Sequence, residues 1–137
     1  MKKVVTVLAV VQLLAVVAQF FLAASGAFDD APVEESFAQH RVLGNLILLF
    51  AVVVTIAAAV ARMPGRVTAT AAGVAGLVLL QSVIREIAKA LGDGSEVGHY
   101  VFGLHAVNGL LIMTAVITVL RLSLQASKTV APEHVPA

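Results

Sequence analysis

Two histidines stand in matching surroundings, and imidazole is a side chain that binds metals and carries protons near neutral pH. The first lies in Phe37-Ala-Gln-His40-Arg41-Val-Leu-Gly44-Asn-Leu-Ile47 and the second in Phe102-Gly-Leu-His105-Ala-Val-Asn-Gly109-Leu-Leu-Ile112. Both fit Phe-x-x-His-x-Val-x-Gly-x-Leu-Ile, offset by 65 residues. Each copy opens an apolar stretch long enough to cross a bilayer, where an ionisable group is costly and usually has a partner or a function. Gly44 and Gly109 follow their histidines by four residues and share their helix face. Glycine there would let a flat ring come close to the backbone. Phe37 and Phe102, three residues before the histidines, could pack on that ring or on the imidazoles. The expected chemistry is axial ligation of one haem iron by His40 and His105, a b-type cytochrome site.

The elements that must position this pair follow from the hydropathy pattern. Four apolar segments span about 4–24, 37–61, 67–91 and 100–120. With caps and first turns, helices are expected over about 4–24, 31–61, 67–91 and 96–122. Asp30 before Ala31-Pro32 and Ser95 before Glu96 read as N-caps, each ten residues ahead of its histidine. Arg62-Met-Pro-Gly-Arg66 is a tight turn, and Gly92-Asp-Gly-Ser95 closes the third helix. The predicted fold is all-α: an integral membrane four-helix up-down-up-down bundle built from two helix-pair repeats. Residues 1–126 form its one domain, and 127–137 are expected to be a disordered cytoplasmic tail. Short loops would set the second and fourth helices diagonally across the core, with their histidines at equal depth.

Composition agrees. Of 137 residues, 60% are hydrophobic and 12% charged, too apolar for a soluble core of this length. No cysteine is present, which excludes disulfides, iron–sulfur clusters and covalent haem attachment. No basic patch with interleaved aromatics points to nucleic acid. Lys2, Lys3, Arg62, Arg66, Arg121 and Lys128 fall on one side, and Asp29, Asp30, Glu34, Glu35, Asp93 and Glu96 on the other. The positive-inside rule then places both termini in the cytoplasm, across a bacterial inner membrane. The basic start and Ala23-Ala-Ser-Gly-Ala27 resemble a signal peptide, but the apolar stretch exceeds a usual signal core, so a retained first helix is expected.

Other polar residues fall into order around the pair. Gln81, Arg85 and Lys89 recur every four residues as a polar stripe on the third helix. Arg85, with Arg41 as second candidate, is placed to pair with a haem propionate, and Gln81 to line the same site. Gln12, Gln19, Asn45 and Asn108 read as glue between helices. His99 falls on another face near the outer surface, and His134 in the tail.

The phrase Gln39-His40-Arg41-Val-Leu-Gly44 ahead of an apolar helix, with a second histidine opening the fourth helix, resembles the haem A synthase family. The resemblance covers most of 31–120 and implies a single four-helix repeat of a family whose members contain two. That family's catalytic half carries a glutamate three residues before its histidine-arginine pair. Phe37 stands there in this chain, so the resemblance implies haem b binding without haem A synthesis. The chain also resembles small four-helix bacterial membrane families of unassigned activity. No catalytic reaction is legible and a stand-alone enzyme is not expected. The expected function is electron transfer or haem handling, with quinol or a redox protein as partner and lipid as solvent. The alternatives are a cofactor-free accessory subunit of a larger membrane complex, and a quinone or lipid binder.

Overall fold

The computed structural model describes residues 1–92 and 95–128. Asp93 and the segment 129–137, with His134 and most of the predicted tail, lie outside the described residues. Five helices follow in order: α1 Lys2–Ala27, α2 Val33–Ser36, α3 Ala38–Val60, α4 Gly65–Ala90 and α5 Glu96–Lys128. No strand occurs among the described residues. The four long helices are each long and apolar enough to cross a membrane.

α1 packs on α3 and α5, and α4 packs on the same two; the backbones of α3 and α5 do not come close to each other. Contacts between ends show neighbours running in opposite directions. Near its start α1 meets the end of α5 through Thr6 and Ser127, whose hydroxyls are 3.3 Å apart. Near its end it meets the beginning of α3 through Gln19 and His40. α3 and α5 therefore lie across a diagonal, and both present their histidine-bearing turns at the same end.

The packing is inverted relative to a soluble protein. Interior positions carry small side chains: Ala9, Ala51, Ala58, Ala71, Val54, Val74 and Val116 are all nearly inaccessible. Large side chains point outward, with Phe21, Leu14, Leu49 and Leu110 more than 60% exposed. In water this would forfeit the hydrophobic driving force. In lipid it costs nothing, and small residues let helix backbones come close enough for dispersion and hydrogen bonds to hold them.

Three boundaries differ from those read in the sequence. The expected helix over 31–61 is divided at Phe37, whose backbone (φ −101°, ψ 11°) leaves the helical register between α2 and α3. Asp30 does not cap it; Pro32 stands at the N-cap without a side-chain bond, while the Asp29 carboxylate accepts from the Ala31 amide. The break is set by tertiary contact. The end of α2 lies against Gly26, where a Cβ would come 2.7 Å from the Ser36 carbonyl oxygen. The last helix runs to Lys128 instead of 122, because no glycine or proline interrupts 110–128 and Ser123 and Ala126 are buried. Ser95 does cap α5, its hydroxyl accepting the Gly98 amide at 3.0 Å.

The turn after α3 closes without glycine. Arg62 takes a left-handed backbone (φ 49°), and the amides of Arg62 and Met63 return to the carbonyls of Ala59 and Ala58. That is a Schellman ending, normally built on glycine. Gly92 (φ 100°) serves the equivalent position after α4.

Candidate functional site

His40 is the third residue of α3, and His105 stands in the third turn of α5. Despite these unlike distances from their helix starts, the rings face each other across the diagonal. Their centres are 6.2 Å apart and their planes inclined by 46°. Both side chains are half-buried.

Each imidazole carries the phenylalanine three residues before it. Phe37 meets His40 edge-on with ring centres 6.1 Å apart, and Phe102 stacks on His105 at 5.2 Å with planes 10° apart. Of the two roles open to these phenylalanines, the structure shows contact with the imidazoles. Helical spacing makes the pairing possible, since residues three apart are surface neighbours.

Glutamine from the adjoining helix holds each histidine's backbone. The Gln19 amide on α1 donates to the His40 carbonyl at 2.8 Å, and the Gln81 amide on α4 donates to the His105 carbonyl at 3.0 Å. A helical carbonyl has a second lone pair, so this bond adds to the helix's own. The two glycines make room for it. A Cβ on Gly44 would lie 3.1 Å from the Gln19 amide nitrogen; one on Gly109 would meet the Phe20 ring at 3.3 Å and the Gln81 amide at 3.7 Å. The space expected for a flat ring over these glycines is thus taken by Gln19 beside Gly44, and by Phe20 and Gln81 beside Gly109.

His40 has one further bond. Its Nδ1 lies 3.2 Å from the Gln19 carbonyl oxygen. A carbonyl can only accept, so Nδ1 carries the proton and Nε2 of a neutral ring is left with its lone pair free. His105 repeats this in looser form: its ring interacts with the Gln81 backbone, but its buried Nδ1 falls short of a full hydrogen bond. Asn108, one turn further along α5, donates to the Gln81 side-chain oxygen at 2.9 Å and to the Leu77 carbonyl at 2.8 Å. It acts as the expected glue.

The polar stripe on α4 does not act as one unit. Gln81 turns inward to α5. Arg85 turns to Glu86 on its own helix, its Nε donating to the carboxylate at 3.0 Å. Lys89 is exposed. Arg41 reaches back to α2, where it donates to the Glu34 carbonyl and lies 3.4 Å from its carboxylate. Both candidate propionate partners therefore already have a carboxylate. Sequence reasoning missed the equivalence of Gln19 and Gln81 and the place of Phe20 and Gly26.

Two grooves lie away from the histidines. One, of about 340 Å³ between α1 and α3, is bordered by Val5, Ile56 and Val60 at the opposite end. The other, about 410 Å³, lies along the outer face of α4 beside Val83 and Glu86. Neither offers converging donors, so the polar chemistry remains with the histidine pair. No group of three or more metal-ligating side chains occurs among the described residues.

Comparison with known proteins gives a family without a function. The model of a family of unknown function (DUF6220) matches residues 19–88, half of the chain, and the chain belongs to that family. The matched span includes Gln19, His40, Gly44 and Gln81, and stops before α5 and His105. No curated protein matches the chain, and no solved structure does.

Proposed function

We propose that this member of the DUF6220 family is a small membrane cytochrome that binds one haem b between His40 and His105. The observation that carries the reading is the pair of facing imidazoles. Two imidazoles bound to opposite sides of one metal at about 2 Å each have ring centres about 6 Å apart, and these are at 6.2 Å. The His40 tautomer is the one a metal ligand needs, with Nδ1–H engaged and Nε2 available. The 46° between the planes is no obstacle, because axial ligands may rotate about their bonds to the metal.

In that role His40 and His105 are the ligands, Phe37 and Phe102 fix the ring planes, and Gln19 and Gln81 hold the backbone beneath them. Bound haem would supply one-electron redox chemistry. Arg41 and Arg85 are the cations that act on His40 and His105, and each would exchange a glutamate for a propionate. The role best suited to such a site is electron transfer or haem handling at the outer side of the membrane, with quinol or a redox protein as partner.

The four long helices would cross a bacterial inner membrane up-down-up-down with both termini in the cytoplasm. The distribution of lysine and arginine supports this orientation. A reporter enzyme active only in the periplasm, fused after Ala137, is expected to be silent; activity there would reverse the orientation.

A second reading, a cofactor-free accessory bundle, is favoured by one observation: Gln19 and Phe20 occupy the space beside Gly44 and Gly109. Visible spectra separate the two. Protein expressed with ample haem is expected to show a Soret band and, after dithionite, the sharp bands of low-spin six-coordinate iron. Colourless protein would leave the accessory bundle as the function.

A further inference from the structure

At the end of the bundle opposite the histidines, charge and shape coincide. Lys2 and Lys3 open α1, Arg62 and Arg66 flank the turn from α3 to α4, and Arg121 and Lys128 lie toward the end of α5. Among the described residues every carboxylate lies at the other end, on Asp29, Asp30, Glu34, Glu35, Glu86 and Glu96. The ion pairs of Arg41 and Arg85 are there too. Among the described residues, the cations of this end therefore meet no carboxylate.

The groove of about 340 Å³ between α1 and α3 opens at this charged end, and its lining is wholly apolar. Val5 is buried and Ala57 and Ala61 are half-buried, while Val4, Ile56 and Val60 beside them are exposed. Along α3 the groove runs from Val53 to Ala61, about 12 Å at 1.5 Å per residue. One leaflet's share of a hydrocarbon core about 30 Å thick is about 15 Å. The groove thus has the length of a lipid tail's path through most of one leaflet. Cations stand at its mouth: Lys2 and Lys3 lie between Met1 and Val4 on α1, and Arg62 directly follows Ala61.

We propose that this groove binds one anionic phospholipid, with an acyl chain along residues 53–61 and the phosphate among Lys2, Lys3 and Arg62. Phosphate oxygens suit ammonium and guanidinium donors, and basic residues at a membrane surface attract anionic headgroups. The tail fills a cleft that offers nothing to a polar ligand. A second copy of the chain fits poorly there, because, inserted the same way, it would bring its own lysines and arginines against these. The site shares no residue with the histidine pair, so the proposal stands apart from haem binding.

The test uses the full-length protein in detergent, read by native mass spectrometry. It is titrated with dioleoyl phosphatidylglycerol, with phosphatidylcholine of the same chains, and with glycerol 3-phosphate. The expected result is a one-to-one adduct with phosphatidylglycerol at concentrations at least tenfold below those phosphatidylcholine needs, and none with glycerol 3-phosphate. Equal binding of the two lipids, or an adduct with glycerol 3-phosphate that matches the lipid's, would overturn the proposal, and this comparison needs no variant. The joint change Lys2→Gln and Arg62→Gln is expected to weaken phosphatidylglycerol binding on the order of tenfold. Arg121→Gln with Lys128→Gln, at the same end but away from the groove, should leave it unchanged; equal losses would mean diffuse attraction to charge and sink the site. Ala57→Leu adds bulk to the groove and no charge, and is also expected to weaken the lipid. Undiminished binding in that variant, with its helical circular dichroism intact, would take the acyl chain out of the groove.

Discussion

One methyl group at Gly26 is expected to weaken the fold measurably, while the same addition at Gly73 or Gly76 strengthens it. A Cβ at Gly26 would lie 2.7 Å from the Ser36 carbonyl oxygen and 3.2 Å from the Phe37 ring. The first contact is to backbone, which cannot swing aside as a side-chain tip can. Gly26→Ala must therefore move the end of α2 away from α1. Overpacking of this sort costs about 1–3 kcal/mol. Gly73 and Gly76 have nothing within 4 Å of an added Cβ, and both lie inside α4. There alanine relieves glycine's backbone entropy, a gain of about 0.5–1 kcal/mol. Thermal unfolding in detergent reads both signs. Equal midpoints for Gly26→Ala and Gly76→Ala would mean that α2 does not rest on α1. The Gly26 change should also reach the histidines, since Phe37 joins the displaced segment to the His40 ring.

That link through Gly26 shows where the sequence was legible and where it was not. The long helices were visible because their apolar runs dominate composition, and α1 and α4 begin and end close to where the pattern places them. That His40 and His105 meet was legible from the short loops, which set their helices on the diagonal, and each phenylalanine's nearness from helical periodicity, which puts residues three apart on one face. The break at Phe37 was not, because Ala31–Ala38 contains nothing that forbids a continuous helix beyond Pro32. It arises from contact with a glycine on another helix, a cause that lies outside any local window. The equivalence of the two glutamines, each expected near the site or between helices, was hidden for a different reason. Gln19 precedes His40 by 21 residues and Gln81 precedes His105 by 24. The hairpins thus differ by nearly one helical turn, and aligning the repeat on its histidines sets the glutamines out of register. The stripe of Gln81, Arg85 and Lys89 was a true periodicity with a false unity. Its first member found a carbonyl on α5, and its second a carboxylate on its own helix.

The same crowding decides what leucine does at the two repeat glycines. With haem held between His40 and His105 as proposed, Gly44→Leu and Gly109→Leu are each expected to cut haem retention at least tenfold, equivalent to about 1.4 kcal/mol. At Gly44 the first added carbon already stands 3.1 Å from the Gln19 amide, and the rest of a leucine would push that amide off the His40 carbonyl. His40 would then lose the side-chain contact that brackets it, and its Nδ1 bond to the same residue would be strained. At Gly109 the obstacle is the Phe20 ring at 3.3 Å, with the Gln81 amide behind it. A ring is stiffer than an amide tip, so Gly109→Ala should already be felt where Gly44→Ala is tolerated. Gly103 provides the comparison on α5: it lies two residues before His105, and nothing lies within 4 Å of an added Cβ. Gly103→Leu is expected to keep full haem occupancy. The measurement is the haem-to-protein ratio after purification, with helical circular dichroism confirming that each variant remains folded. Full occupancy in both Gly44→Leu and Gly109→Leu would place the cofactor away from His40 and His105. Haem loss restricted to those two, with Gly103→Leu unaffected, would tie the repeated glycines to the histidine clamp through the neighbours they make room for.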